Sequence, residues 1–124
     1  MIYILEMKEK PIPYDFIFDH LDRLGLVIKP MFGCYLVYRG NKMILFLRES
    51  DKEPIYNGVY IATSENYFDS LVKDIGINYP SDFFKNTKKR WIFIPESDRG
   101  FESAVLRACE QILKSDKRIG REKL

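Results

Sequence analysis

The side chains able to do chemistry in this 124-residue chain fall into two groups. The first surrounds the single histidine, His20, which has Asp15, Asp19 and Asp22 close by in the sequence. A histidine beside carboxylates is an arrangement that serves general acid–base catalysis. All four residues occupy polar positions of a helical pattern, so a solvated helix surface accounts for them without any substrate. The second group is Lys85, Lys88, Lys89 and Arg90, which lead directly into Trp91. Cations beside an aromatic ring can hold phosphate and stack a base. The competing reading is a charged loop ahead of a strand whose tryptophan belongs to the core.

Catalytic motifs do not accompany either group. The chain has no glycine-rich phosphate loop, no nucleophile elbow and no paired metal-ligand motif. Ser64, Ser81 and Ser97 stand where helix caps are needed. One histidine and two cysteines cannot supply a cluster of typical soft metal ligands. The expectation is a non-enzymatic protein with no cofactor and no metal.

The elements that position these residues follow from composition and period. Hydrophobic residues make up 46% and aromatics 15%, and charged residues at 31% supply a soluble exterior. One domain with a substantial core follows from that balance and the length. No apolar run reaches the length of a membrane span, and the opening stretch MIYILEMKEK is broken by Glu6 with no basic start or cleavage site. Cys34 and Cys109 fall in apolar patterns and read as buried thiols. These features point to the cytoplasm.

Charge is unevenly divided. Residues 1–84 carry nine Lys/Arg against twelve Asp/Glu, a balance of −3, whereas residues 85–124 carry eleven against six, a balance of +5. The excess lies in Lys85–Arg90 and in the tail from Lys114 to Lys123, and such a portion can attract phosphate.

Residues 1–12 form an N-terminal arm or short strand, with Pro11 and Pro13 favouring an extended entry. From Tyr14 the apolar residues Ile17, Phe18, Leu21 and Leu24 keep helical spacing, and Gly25 stops the helix. Gly33–Arg39 and Lys42–Arg48 read as strands joined by Gly40-Asn41, which suits a two-residue hairpin turn. Gly58–Ala62 reads as a third strand. Phe68, Leu71, Val72 and Ile75 mark a second helix capped by Thr63 or Ser64. Trp91–Ile94 is a fourth strand stopped by Pro95. A last helix begins at Ser97 or Asp98 and buries Phe101, Val105, Ala108, Cys109 and Ile112. The fold class is α+β: a mainly antiparallel sheet of four or five strands packed with three helices, in the order α-β-β-β-α-β-α. One domain covers 13–114, and 115–124 is a charged tail expected to fray.

The segment Pro30-Met31-Phe32-Gly33-Cys34, followed by an aromatic strand, a turn and a second strand beginning near Met43, resembles the hallmark of the TfoX N-terminal domain family. The family usually has a second glycine where this chain has Cys34. The likeness spans about residues 13 to 114. It implies an α+β fold with an antiparallel sheet on helices, and kinship with proteins that regulate DNA-uptake competence. The Pro30, Met31, Phe32 and Gly33 motif has a structural rationale: Pro30 extends Lys29, Met31 and Phe32 tuck under the sheet, and Gly33 allows a bend.

One physical feature bears on partners. A half-exposed antiparallel sheet should be polar on one face, yet these strands are apolar on both. Tyr35, Val37, Ile44 and Phe46 are the candidate interface residues if one face is uncovered, with a homodimer as the partner arrangement. The alternative is that helices, the N-terminal arm and Phe83-Phe84 divide the two faces between them. The function expected from sequence is regulatory, through protein–protein contact or self-association. The second reading is weak nucleic-acid binding through 85–90 and the tail.

Overall fold

A computed structural model describes residues 12–84 and 89–122. Its elements in chain order are α1 (Phe16–Leu21), β1 (Val27–Met31), β2 (Cys34–Arg39), β3 (Lys42–Arg48), β4 (Gly58–Ala62), α2 (Glu65–Ile75), β5 (Trp91–Pro95), α3 (Phe101–Leu113) and β6 (Arg121–Glu122). Single 3-10 turns at Asp22–Leu24 and Pro54–Tyr56 complete it. The strands lie in the order β1-β2-β3-β4-β5, every pair antiparallel, so the α+β class is as expected. β6 pairs with β3 at Lys42 and Met43, in the lane that β4 leaves when it turns into α2.

Two strands exceed the expectation, β1 and β6. β1 carries the Pro30-Met31 half of the family-like motif, and Phe32-Gly33 is the turn into β2, both with positive φ (51° and 82°). Gly33 adopts this backbone freely, but Phe32 does so against its Cβ. In a two-residue hairpin the closing pair, here Met31 and Cys34, exchanges both backbone hydrogen bonds. The peptide nitrogen of Pro30 therefore faces the open edge, where its missing N–H breaks no ladder bond and hinders strand addition.

The motif does not tuck under the sheet. Phe32 is 97% exposed and Met31 40% exposed, because the left-handed turn points the ring away from both layers. Phe32 thus contributes backbone strain and almost no burial. Phe32→Asn, which tolerates that conformation, is expected to raise stability by about 1 kcal/mol in urea unfolding. A loss of stability instead would show that the ring has a packing role.

Helices α1, α2 and α3 cover one sheet face. Ile17, Leu21, Leu71, Ile75, Val105, Ala108 and Ile112 pack on Val37, Leu45, Leu47, Val59, Ile61, Ile92 and Ile94. The other face carries Cys34, Leu36, Tyr38, Phe46, Tyr60 and Phe93, with Met43, Phe83, Phe84 and Trp91 laid against them. Both faces are therefore buried within the chain.

That arrangement corrects the candidate interface. Val37 and Ile44 are buried in the helix-side core and Tyr35 packs against it, whereas Phe46 is buried on the opposite face. The four residues do not share a surface. The register is the reason: Phe46 pairs with Leu36 and so faces away from Tyr35 and Val37, while a bulge, in which Val37 faces Leu45 but Tyr38 faces Met43, turns the extra residue Ile44 to the helix side. Cys34 and Cys109 are free and buried on opposite faces, and burial pushes the Cys109 thiol up to about 12.

The tail is a second correction. From Ser115 to Glu122 it is docked, because Ile119 is buried and the polar groups around it are paired. The Thr63 hydroxyl donates to the Arg118 carbonyl at 2.7 Å, and the Gly120 amide donates to the Ala62 carbonyl at 2.8 Å. Arg118 pairs with both Asp116 and Asp74 at 2.7 Å, which holds the Asp116 carboxyl below its ordinary range. The last helix starts after Gly100, with Asp98 accepting from the Gly100 amide at 2.7 Å instead of capping directly.

Candidate functional site

The docked tail changes what surrounds the basic cluster. β6 places Arg121 opposite Met43, on the aromatic side of the sheet, with its guanidinium 5.0 Å from the Trp91 ring centre. Trp91 stacks on Phe84 at 4.7 Å with the planes 12° apart. The ring thus meets a phenyl group and a guanidinium. It offers no open face for a base, so stacking recognition at Trp91 is not what this geometry supplies.

Arg90 immediately precedes β5 and is exposed. Its carbonyl accepts from the Thr63 amide at 2.9 Å, which fastens the strand entry to the start of α2. Arg90 and Arg121 line one cleft of about 370 Å³ with Ser64, Glu65, Asn66 and Glu122. The first turn of α2 opens into this cleft, and Ser64 makes no side-chain cap bond there. Amide hydrogens at a helix start, together with the helix dipole, favour an anion.

The two arginines are close enough to repel. Burial lowers the Arg121 pKa, and the neighbouring Arg90 charge lowers it further. The Arg121 Nε is buried with no hydrogen-bond partner. Glu65 and Glu122 line the same cleft, but among the described residues neither forms an ion pair with either arginine. Two converging guanidiniums without a carboxylate partner are an arrangement that an oxyanion would relieve.

A second basic depression, of about 330 Å³, lies at the same end of the sheet. Arg39, Lys42 and Lys117 line it beside Ile112 and Ile119. Arg39 donates to the Ile112 carbonyl at 3.1 Å, which leaves part of its guanidinium for other acceptors. Both depressions border the docked tail, one at Ser115–Ile119 and one at Arg121–Glu122.

The candidate residues separate in space. Arg90 lines the cleft, and Lys89 sits beside it in a long, exposed pair with Asp69 at 3.8 Å. Lys85 and Lys88 lie outside the described residues. His20 is exposed at the end of α1. Among the described residues no group of three His, Cys, Asp or Glu could hold a metal ion. No helix among them is long and apolar enough to cross a membrane.

Local sequence patterns do not single out Arg39 or Lys42, and Lys117 and Arg121 are visible there only as part of the basic tail 114–123. The available signal is Ile119-Gly120 inside an otherwise charged tail, an apolar anchor followed by a residue free to bend. No family model, curated protein or solved structure matches the chain.

Proposed function

We propose that this chain is a non-enzymatic binding domain whose ligand is the phosphate backbone of a nucleic acid. The observation that carries the reading is the meeting of Arg90, from the 85–90 cluster, with Arg121, from the tail. Two basic segments distant in sequence share one cleft, and a second basic depression lies beside it. Contacts of this kind read the backbone and not the bases, so binding is weakly sequence-dependent and strongly salt-dependent. The Pro30–Leu47 segment supports kinship with TfoX N-terminal domains, whose regulatory associations accord with a binding role. Two unpaired buried thiols suit a cytoplasmic setting.

Trp91 is the only tryptophan and touches Arg121, so its fluorescence reports on the cleft. Titration with a single-stranded 20-mer at low salt is expected to change that emission. Arg90→Ala/Arg121→Ala is expected to weaken binding about tenfold or more. The same variant should lower the steepness of the log–log salt dependence by roughly 1.5, because each phosphate neutralised on a single strand adds about 0.7 to that slope. Arg23→Ala, on the exposed turn after α1, is the control. No gel shift and no emission change for the wild type at low salt would end this reading.

Protein contact or homodimerisation is the second reading, and one observation favours it. Phe32, Met31 and Val27 are exposed together along the β1 edge and its turn. A single sedimenting monomer at high micromolar concentration would count against it, and Phe32→Asn should reduce association without loss of stability.

A further inference from the structure

At the opposite end of the aromatic face from Arg121 lies a groove of about 710 Å³ lined by one carboxylate, Asp82, and no cation. Phe93 and Pro95 of β5 form its floor, and both are buried. Phe93 is held flat against Tyr60, with ring centres 4.3 Å apart and planes 16° from parallel. The walls are the Pro54–Tyr56 turn on one side and the 79–82 segment on the other. Ile55 is 73% exposed and Tyr79 44% exposed at the rim, so apolar surface is left open here.

One carboxylate, Asp82, lines this apolar surface, and a second, Asp98, is bonded to its Tyr79 wall. The Tyr56 hydroxyl donates to Asp82 Oδ1 at 2.5 Å, and the Tyr79 hydroxyl donates to Asp98 Oδ2. Each bond ties a wall ring to an acid and keeps the phenol protonated. Among the described residues no lysine or arginine pairs with Asp82 or Asp98. A carboxylate accepts about four hydrogen bonds, so both retain acceptor capacity beyond their tyrosines.

An occupant must therefore cover apolar and aromatic surface while presenting positive charge. A neutral apolar ligand would desolvate Asp82 without a partner, and an anion would be repelled by it. A lone metal ion would leave the apolar floor uncovered. The groove exceeds the size of one side chain, and its walls of tyrosine and proline suit an extended, proline-containing backbone.

We infer that this groove docks an extended peptide segment of a partner protein through a lysine or arginine side chain paired with Asp82, with the charge of Asp98 behind the Tyr79 wall adding to the attraction. The inference is independent of the nucleic-acid reading, since it uses the other end of the face and the opposite charge.

The test is an NMR titration of the 15N-labelled full chain with acetyl-Arg-Pro-Pro-amide and with its Glu counterpart. The arginine peptide is expected to move the amides around 55–57, 79–82 and 96–98 in a saturable way, and the glutamate peptide should leave them in place. Asp82→Asn/Asp98→Asn keeps an acceptor for each tyrosine, so the fold should persist. That variant should bind the arginine peptide about tenfold more weakly, the loss expected when charge-assisted bonds become neutral ones. Equal shifts with both peptides, shifts located elsewhere, or undiminished binding by the double variant would each overturn the proposal.

Discussion

Gly58→Ala is expected to be the most damaging single-methyl change in this chain, lowering stability by about 3 kcal/mol or more. A Cβ at this position would lie 2.2 Å from the Ile94 carbonyl oxygen and 2.9 Å from the Pro95 Cα. Both are backbone atoms of a paired strand and cannot rotate aside. Gly58 also has φ of 149°, outside the range that L side chains readily adopt. The residue is the point where β4 enters between β3 and β5, facing Arg48 on one side and Pro95 on the other. Relief would require those pairings to open. For a domain of this size the melting temperature should fall by about 10 °C or more. Gly25→Ala is the comparison: an added methyl there meets nothing within 4 Å, so only backbone strain remains, about 1 kcal/mol. Equal effects at the two positions would refute the close-approach argument.

Phe46→Ala is expected to cost about 3–5 kcal/mol, the range for deleting a buried aromatic ring. Phe46 contacts Tyr60, Phe83, Phe84 and Trp91, with ring centres between 4.9 and 6.1 Å apart. With Tyr60 it sits at the middle of the aromatic layer that closes the helix-free face. Neighbouring rings tied to the backbone cannot all collapse into the gap, since Tyr60 is stacked on Phe93 and bonded to the Tyr56 carbonyl at 2.9 Å. Two readouts separate the loss of packing from a general unfolding. Urea unfolding should show a lower midpoint with an unchanged slope. Native-state Trp91 emission should shift to the red, because the Phe84–Trp91 stack loses its support. Nucleic-acid affinity should fall less than in Arg90→Ala/Arg121→Ala, since the guanidiniums remain. A cost below about 1 kcal/mol would mean that the aromatic face is not a packed layer.

The sheet and helices are legible in the sequence because their signals are local. Leu71 and Ile75 in α2, and Val105, Ala108, Cys109 and Ile112 in α3, keep helical spacing and are the residues buried against the sheet. Gly25 and Gly76 end their helices in the left-handed conformation, as their positions suggest. β3 runs from Lys42 to Arg48, the limits that its apolar run indicates. The strand Val27–Met31 is hidden in the sequence because Pro30 argues against a ladder position, and only its place on the open edge makes the proline acceptable.

The site is less legible than the fold. Its Arg90 half lies in a visible basic cluster, while its Arg121 half lies in a tail whose composition reads as solvated. What docks that tail is the free lane beside β3, vacated when β4 ends at Ala62. A lane of that kind exists only after the strands have paired. Around the opposite groove, Asp82 and Asp98 lie 16 residues apart in sequence, and each is held by a tyrosine from another segment, Tyr56 and Tyr79.

By itself the amino-acid sequence determined the α+β class, the helices, the central hairpin and the burial of both cysteines, because period and turn chemistry act over a few residues. It also showed that both faces of the hairpin are apolar. What covers those faces was decided by tertiary structure. One bulge beside Val37 redirects Ile44, three helices take one side, and Phe83, Phe84 and Trp91 close the other. The same closure leaves the Arg90–Arg121 cleft at one end of the aromatic layer and the Asp82 groove at the other, an arrangement that no local stretch of the chain encodes.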